Sequence, residues 1–94
     1  MAKRPLHPEV ANFVSSLQAL EDMLASNEQQ FWADRISRVR QVAERSDGYC
    51  VQLFEGLLGG MGSFNDLILN APTDINRAFE AERERAIKLA KTLQ

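Results

Sequence analysis

Apolar side chains recur every three or four positions from residue 10 onward: Val10, Phe13, Val14, Leu17, Leu20 and Leu24. Asn12, Ser15, Ser16, Gln18, Glu21 and Asp22 fill the intervening face. One apolar stripe at a period near 3.6 predicts an amphipathic helix laid on a core. Pro8 suits its first turn, where a missing N–H leaves no bond unmade. Residues 1–7 are expected as an extended leader.

Ser26-Asn27-Glu28-Gln29 interrupts the pattern. Ser26 with Gln29, or Asn27 with Gln30, has the spacing of a capping box, in which two side chains satisfy the first free amides of a helix. The second predicted helix turns Phe31, Trp32, Ile36, Val39, Val42 and Ala43 inward. Ser46-Asp47-Gly48 predicts a turn, with Ser46 or Asp47 capping a third helix over 49–58. The apolar residues of that helix, Val51, Leu53, Phe54, Leu57 and Leu58, cover a wide arc, which places it at the centre of the fold.

Gly59, Gly60 and Gly62 end the third helix, and Ser63 opens a short helix over 64–69 stopped by Asn70-Ala71-Pro72. Thr73 and Asp74 start a long final helix carrying Ile75, Phe79, Ala86, Leu89, Ala90 and Leu93, with Glu84 and Lys88 at the favoured ion-pair spacing. No stretch alternates with a period of two. The predicted fold is therefore all-α: one domain over 1–94, a compact bundle of four main helices plus a short helix after a glycine-rich loop.

Composition narrows the classes open to such a bundle. With 45% hydrophobic residues, the 94-residue chain has the apolar content of an ordinary folded domain rather than a disordered tail. A net charge of −2 weighs against binding nucleic acid or an anionic membrane surface, both of which favour basic chains. No apolar run approaches the ~18–20 residues of a membrane span. Pro5 and Pro8 stand where a signal peptide needs its apolar core. Cys50 is the sole cysteine, so no intrachain disulfide can form, which fits a reducing compartment. A cytoplasmic location is expected.

The densest signal is Gly59-Gly60-Met61-Gly62-Ser63-Phe64-Asn65-Asp66, where three of the five glycines fall within four positions. Glycine inside a helix costs about 1 kcal/mol against alanine, so the cluster marks a special backbone conformation. A Gly-x-Gly run into a helix start can form a nest of N–H groups for a phosphate or carboxylate. Gly60, Gly62 and Ser63 would supply the amides, with Arg35 as counter-charge. Yet no lysine follows the last glycine, the preceding segment predicts helix rather than strand, and no basic residue lies between Arg45 and Arg77. The competing reading is structural: the glycines end one helix in a left-handed conformation and let the next pack closely. Ser63 with Asp66 three residues on also has capping spacing.

At about 100° per residue, Arg35 falls within the inward arc of the second helix. A charge there either snorkels past Trp32, stacking on the indole, or pairs with a carboxylate. Asp66 is the first candidate partner and Glu55 the second. Glu82 interrupts the final stripe between Phe79 and Ala86 and is read as marking where that helix projects beyond the core. Arg35, Arg38 and Arg45 share one side of the second helix, as a solvated face or as a docking patch for an acidic protein surface. Arg40 lies elsewhere. Cys50 is read as a small buried hydrophobe. His7 is the sole histidine and lies in the leader, too few for a triad or a metal site, so no cofactor is expected and an enzyme ranks behind the two binding readings.

Residues 54–69, with their Gly-Gly-Met-Gly-Ser-Phe-Asn-Asp-Leu core, resemble a family of small uncharacterised bacterial proteins carrying a domain of unknown function. Trp32 in an earlier helix and the turn Ser46-Asp47-Gly48 extend the resemblance over 32–69. The resemblance implies a bacterial source and carries over no catalytic residue. The expected function is a non-catalytic protein-interaction or regulatory module, of immunity type, acting on a protein partner or on a second copy as a homodimer. The alternative is a small anionic ligand held at the glycine loop 59–63.

Overall fold

A computed structural model describes residues 7–45, 48–59 and 62–93. Four helices follow one another: α1 (Pro8–Ser26), α2 (Gln30–Glu44), α3 (Tyr49–Glu55) and α4 (Thr73–Thr92). A single 3₁₀ turn, Phe64–Asp66, stands between α3 and α4. The described residues contain no strand, and the all-α bundle is the fold.

α1 begins as Pro8 predicts, with the His7 imidazole accepting from the Glu9 N–H at 3.2 Å. Phe13, Leu17, Leu20 and Leu24 are fully buried, and each contributes about 1.5–3 kcal/mol by leaving water. Ser16, expected on the polar face, is buried as well.

Neither capping box forms at the α1–α2 junction. The Gln29 N–H donates back to the Leu24 carbonyl (2.8 Å) and the Glu28 N–H to Ala25 (3.3 Å). This is a Schellman closure, and it forces its pivot residue into the left-handed region. That pivot is Glu28, at φ 61°. The Asn27 amide turns back onto the Met23 carbonyl at 2.7 Å. The segment ends α1 and precedes α2 as expected, but without a side-chain cap on α2.

α1, rather than α3, is the central helix: it packs along α2 on one side and α4 on the other. α3 ends at Glu55, shorter than the predicted 49–58, because the chain tightens there. Leu57 and Leu58 donate to the carbonyls three residues back, Phe54 and Glu55. Phe54 reaches α1 edge-on, its ring 5.5 Å from Phe13. The cap proposed at Ser46 or Asp47 lies outside the described residues.

The short helix predicted over 64–69 is one 3₁₀ turn followed by extended backbone from Leu67. Phe64 is buried beneath Trp32 and Phe79, at centroid distances of 5.4 and 5.8 Å. A line of rings therefore runs from Phe31 at the surface through Trp32 and Phe64 to Phe79 in the core.

Candidate functional site

Phe31, Arg35 and Arg38 recur at i, i+4 and i+7, which places them on one face of α2. That face is outside the core. Phe31, expected inward, is 59% exposed, because Trp32 takes the inward place against Phe64. Arg35 is exposed too and pairs with neither Asp66 nor Glu55 among the described residues. Its guanidinium carbon stands 4.2 Å above the Phe31 ring, so it stacks on phenylalanine rather than on the indole. Such a cation–π contact is worth about 0.5–1 kcal/mol at an exposed site.

Two hollows adjoin on this side. One, of about 350 Å³, lies between the start of α2 and the glycine turn, bordered by Phe31, Trp32, Arg35, Leu57, Gly62 and Ser63 among others. The other, of about 250 Å³, is lined by Arg35, Arg38, Val39, Leu53 and Leu57. Arg35 and Leu57 are common to both, which makes them one groove between α2 and the α3 turn. A further hollow of about 350 Å³ follows α4, but only side chains of that single helix line it, with mixed charge. It is open surface.

At the glycine segment, Gly59 (φ 87°) and Gly62 (φ 76°) adopt the left-handed backbone that L side chains resist. A Cβ at either would meet nothing within 4 Å, so the requirement is conformational and not one of close packing. Gly60 lies outside the described residues. The Gly62 N–H donates to the Asp66 carboxylate at 3.2 Å. Ser63 does not cap the turn: its hydroxyl is buried, with no hydrogen-bond partner among the described residues. The expected Ser63–Asp66 cap is thus replaced by an Asp66–Gly62 contact, and a carboxylate of the chain itself already occupies one of the amides assigned to an anion. Arg35, Gly62 and Ser63 are brought to one hollow, while Asp66 touches it only through Gly62.

The buried arginine of this fold is Arg83, which the sequence reading passed over. Its Nη1 donates to the carbonyls of Phe64 (3.0 Å) and Leu67 (2.9 Å), and its guanidinium carbon lies 5.0 Å from the Phe79 ring centroid. Seven residues earlier on α4, the Asn76 side chain accepts from the Leu69 N–H (2.8 Å). It also donates to the carbonyls of Leu69 and Ala71, both at 3.0 Å. The two side chains clasp the extended segment after the 3₁₀ turn, supplying backbone partners that helix or sheet would otherwise provide. The signal was present: 79, 83, 86 and 90 form a continuous stripe, and Arg83, not Glu82, stands within it. Glu82 does not mark a projecting end. It accepts from the buried Ser16 hydroxyl at 2.6 Å and pairs with Arg85 at 3.3 Å.

Arg40 contrasts with the groove arginines. It bridges Glu21 of α1 (2.8 Å) and Glu44 (2.7 Å), and these contacts, Glu21 foremost, raise its pKa further above the ordinary arginine value. Cys50 is buried as expected. Among the described residues, no group of three or more His, Cys, Asp or Glu side chains is placed to hold a metal ion, and no helix is long and apolar enough to cross a membrane.

Comparison with protein-family models matches residues 25–75 to a domain of unknown function, DUF6966. No curated protein and no solved structure matches the chain. The matched segment contains every residue named above as lining the groove, whereas Arg83 and most of α1 and α4 lie outside it.

Proposed function

The chain belongs to the DUF6966 family of domains of unknown function, and for this member we propose a non-catalytic protein-interaction module whose working face is the α2–α3 groove. One observation carries the reading: Phe31, a large apolar ring near the start of the matched segment, stands exposed at one end of a groove lined by Leu53 and Leu57. The exposed part of the ring adds little to folding beyond its contacts with Trp32 and Arg35, and aromatic residues and arginine are common anchors of protein interfaces. The setting proposed with it is a bacterial cytoplasm, where the buried Cys50 stays reduced. Whether the partner is a toxin is answered by the gene's neighbours.

The test is retention of a partner from a gentle lysate of the source organism by the immobilised chain and by Phe31→Ser. The native chain retains a protein above background and the variant does not. Equal retention by both removes the groove from the interaction, and no retention at all removes the reading itself.

A second reading, a small anion at 59–63, draws on the buried Ser63 hydroxyl, which has no partner among the described residues, and on Arg35 beside the same hollow. Titration with inorganic phosphate, followed by the amide resonances of Gly62 and Ser63, tests it. Saturable shifts at those two amides support it, and their absence at millimolar phosphate ends it.

A further inference from the structure

We infer that the α2–α3 groove takes an acidic protein segment with an apolar anchor, its carboxylates meeting Arg35 and Arg38; this rests on the interaction reading above. Charge complementarity carries the inference. The chain as a whole is slightly acidic, with 13 acidic and 11 basic residues. Yet Arg35 and Arg38 are the only charged residues among the described ones that line it. Neither has a carboxylate within ion-pair distance among the described residues. Arg40 of the same helix, turned toward α1, is satisfied by two carboxylates. The fold therefore neutralises the arginine of α2 that it uses internally and leaves the groove pair unneutralised.

The geometry says how a partner would sit. Arg35 and Arg38 are one helical turn apart on the groove rim, with the Phe31 ring beneath the Arg35 guanidinium. The contact holds the cation over the ring, and an arginine can engage a carboxylate with two parallel bonds. Beside the two cations, Leu53, Leu57 and Val39 line the groove and offer apolar surface to one aliphatic or aromatic side chain. A segment that alternates acids with an apolar residue satisfies both. A basic segment would be repelled, which gives the groove discrimination as well as attraction.

Selection from a random peptide library displayed against the folded full chain tests this without a known partner. The expected winners carry Asp or Glu on either side of an apolar residue and few Lys or Arg, and they elute at about 1 M salt, where charges are screened beyond about 3 Å. Measured by titration calorimetry, their affinity falls about tenfold or more in the Arg35→Glu, Arg38→Glu double variant. Lys88→Glu on α4 leaves it nearly unchanged. Both groove arginines are exposed, so circular dichroism should show the double variant folded; if it is not, Arg35→Gln, Arg38→Gln replaces it and should weaken binding in the same direction. Winners without acid enrichment, or winners bound equally by the charge-altered chain, overturn the inference. Neutral winners that still require Phe31 overturn the acidic partner and leave the interaction face standing. A selection that depends on neither Phe31 nor the arginines removes both.

Discussion

Arg83 holds Phe64 in two ways: its Nη1–H donates to the Phe64 carbonyl at 3.0 Å, and its guanidinium carbon lies 5.9 Å from the ring of the same residue. A second bond from the same nitrogen reaches Leu67. The cation is almost fully buried and has no carboxylate partner among the described residues. Carbonyl dipoles and ring faces therefore replace its water.

Arg83→Met keeps most of the side-chain volume but leaves two carbonyls without their donor. At about 1–3 kcal/mol for each buried group left unsatisfied, partly relieved because the buried charge goes too, the expected loss is about 2–4 kcal/mol. Urea denaturation measures it. A loss below about 0.5 kcal/mol would place the segment's stability elsewhere.

Asn76→Ala opens the other half of the clasp. The global cost expected is about 1–3 kcal/mol, since the side chain serves three backbone groups. The sharper readout is local: exchange of the Leu69 amide hydrogen should accelerate far more than that of Leu17 or Leu20 in α1. Uniform acceleration across the chain would contradict a clasp.

The glycines separate by backbone rather than by motif. Gly62→Ala and Gly59→Ala place a Cβ at positive φ and should each destabilise by about 1–2 kcal/mol, even though the added methyl group meets nothing. Gly56, at φ −64°, has ordinary helical geometry. Gly56→Ala should be neutral or stabilise by up to about 1 kcal/mol, as the unfolded chain loses freedom. Thermal unfolding of the three variants checks the contrast.

Glu28 is the one described non-glycine residue at positive φ. Glu28→Gly relieves it, and a gain of about 0.5–1 kcal/mol is expected at a position that glycine usually fills. Loss of stability would show that the Glu28 side chain makes a compensating contact.

Ser16 and Glu82 join α1 to α4 through a 2.6 Å hydrogen bond. A double-mutant cycle of Ser16→Ala and Glu82→Ala should return a coupling of about 1 kcal/mol, in the range for contacting polar pairs. Additive effects would mean that Glu82 is held by Arg85 alone.

Helix periodicity made the bundle legible, since Phe13, Leu17, Leu20 and Leu24, or Ile36 and Val39, repeat at one spacing with one outcome. What failed were the rim positions. Phe31 and Trp32 are adjacent apolar rings 100° apart, and only one could face the core; which one depended on Phe64, thirty-odd residues away and unreadable locally. Ser16 and Arg83 sat on apolar stripes as polar residues, and their partners were remote carboxylate and carbonyl groups that spacing does not encode. Ser26 to Gln29 ended one helix and preceded the next as expected but formed neither capping box, because capping residues satisfy amides or carbonyls depending on how the chain turns. Of the glycine loop, the left-handed conformation was legible and the Asp66–Gly62 contact was not.

The line of rings from Phe31 to Phe79 has an optical consequence. Trp32 is the sole tryptophan of the chain, and it touches the exposed Phe31 on one side and the buried Phe64 on the other. Its indole emission therefore registers two events without any added label. A molecule seated at the Phe31 end of the groove strips water from one edge of the ring, and release of Phe64 from the Arg83 clasp exposes the opposite face. The molecule carries its own reporter at the junction between the surface it offers and the core that holds it together.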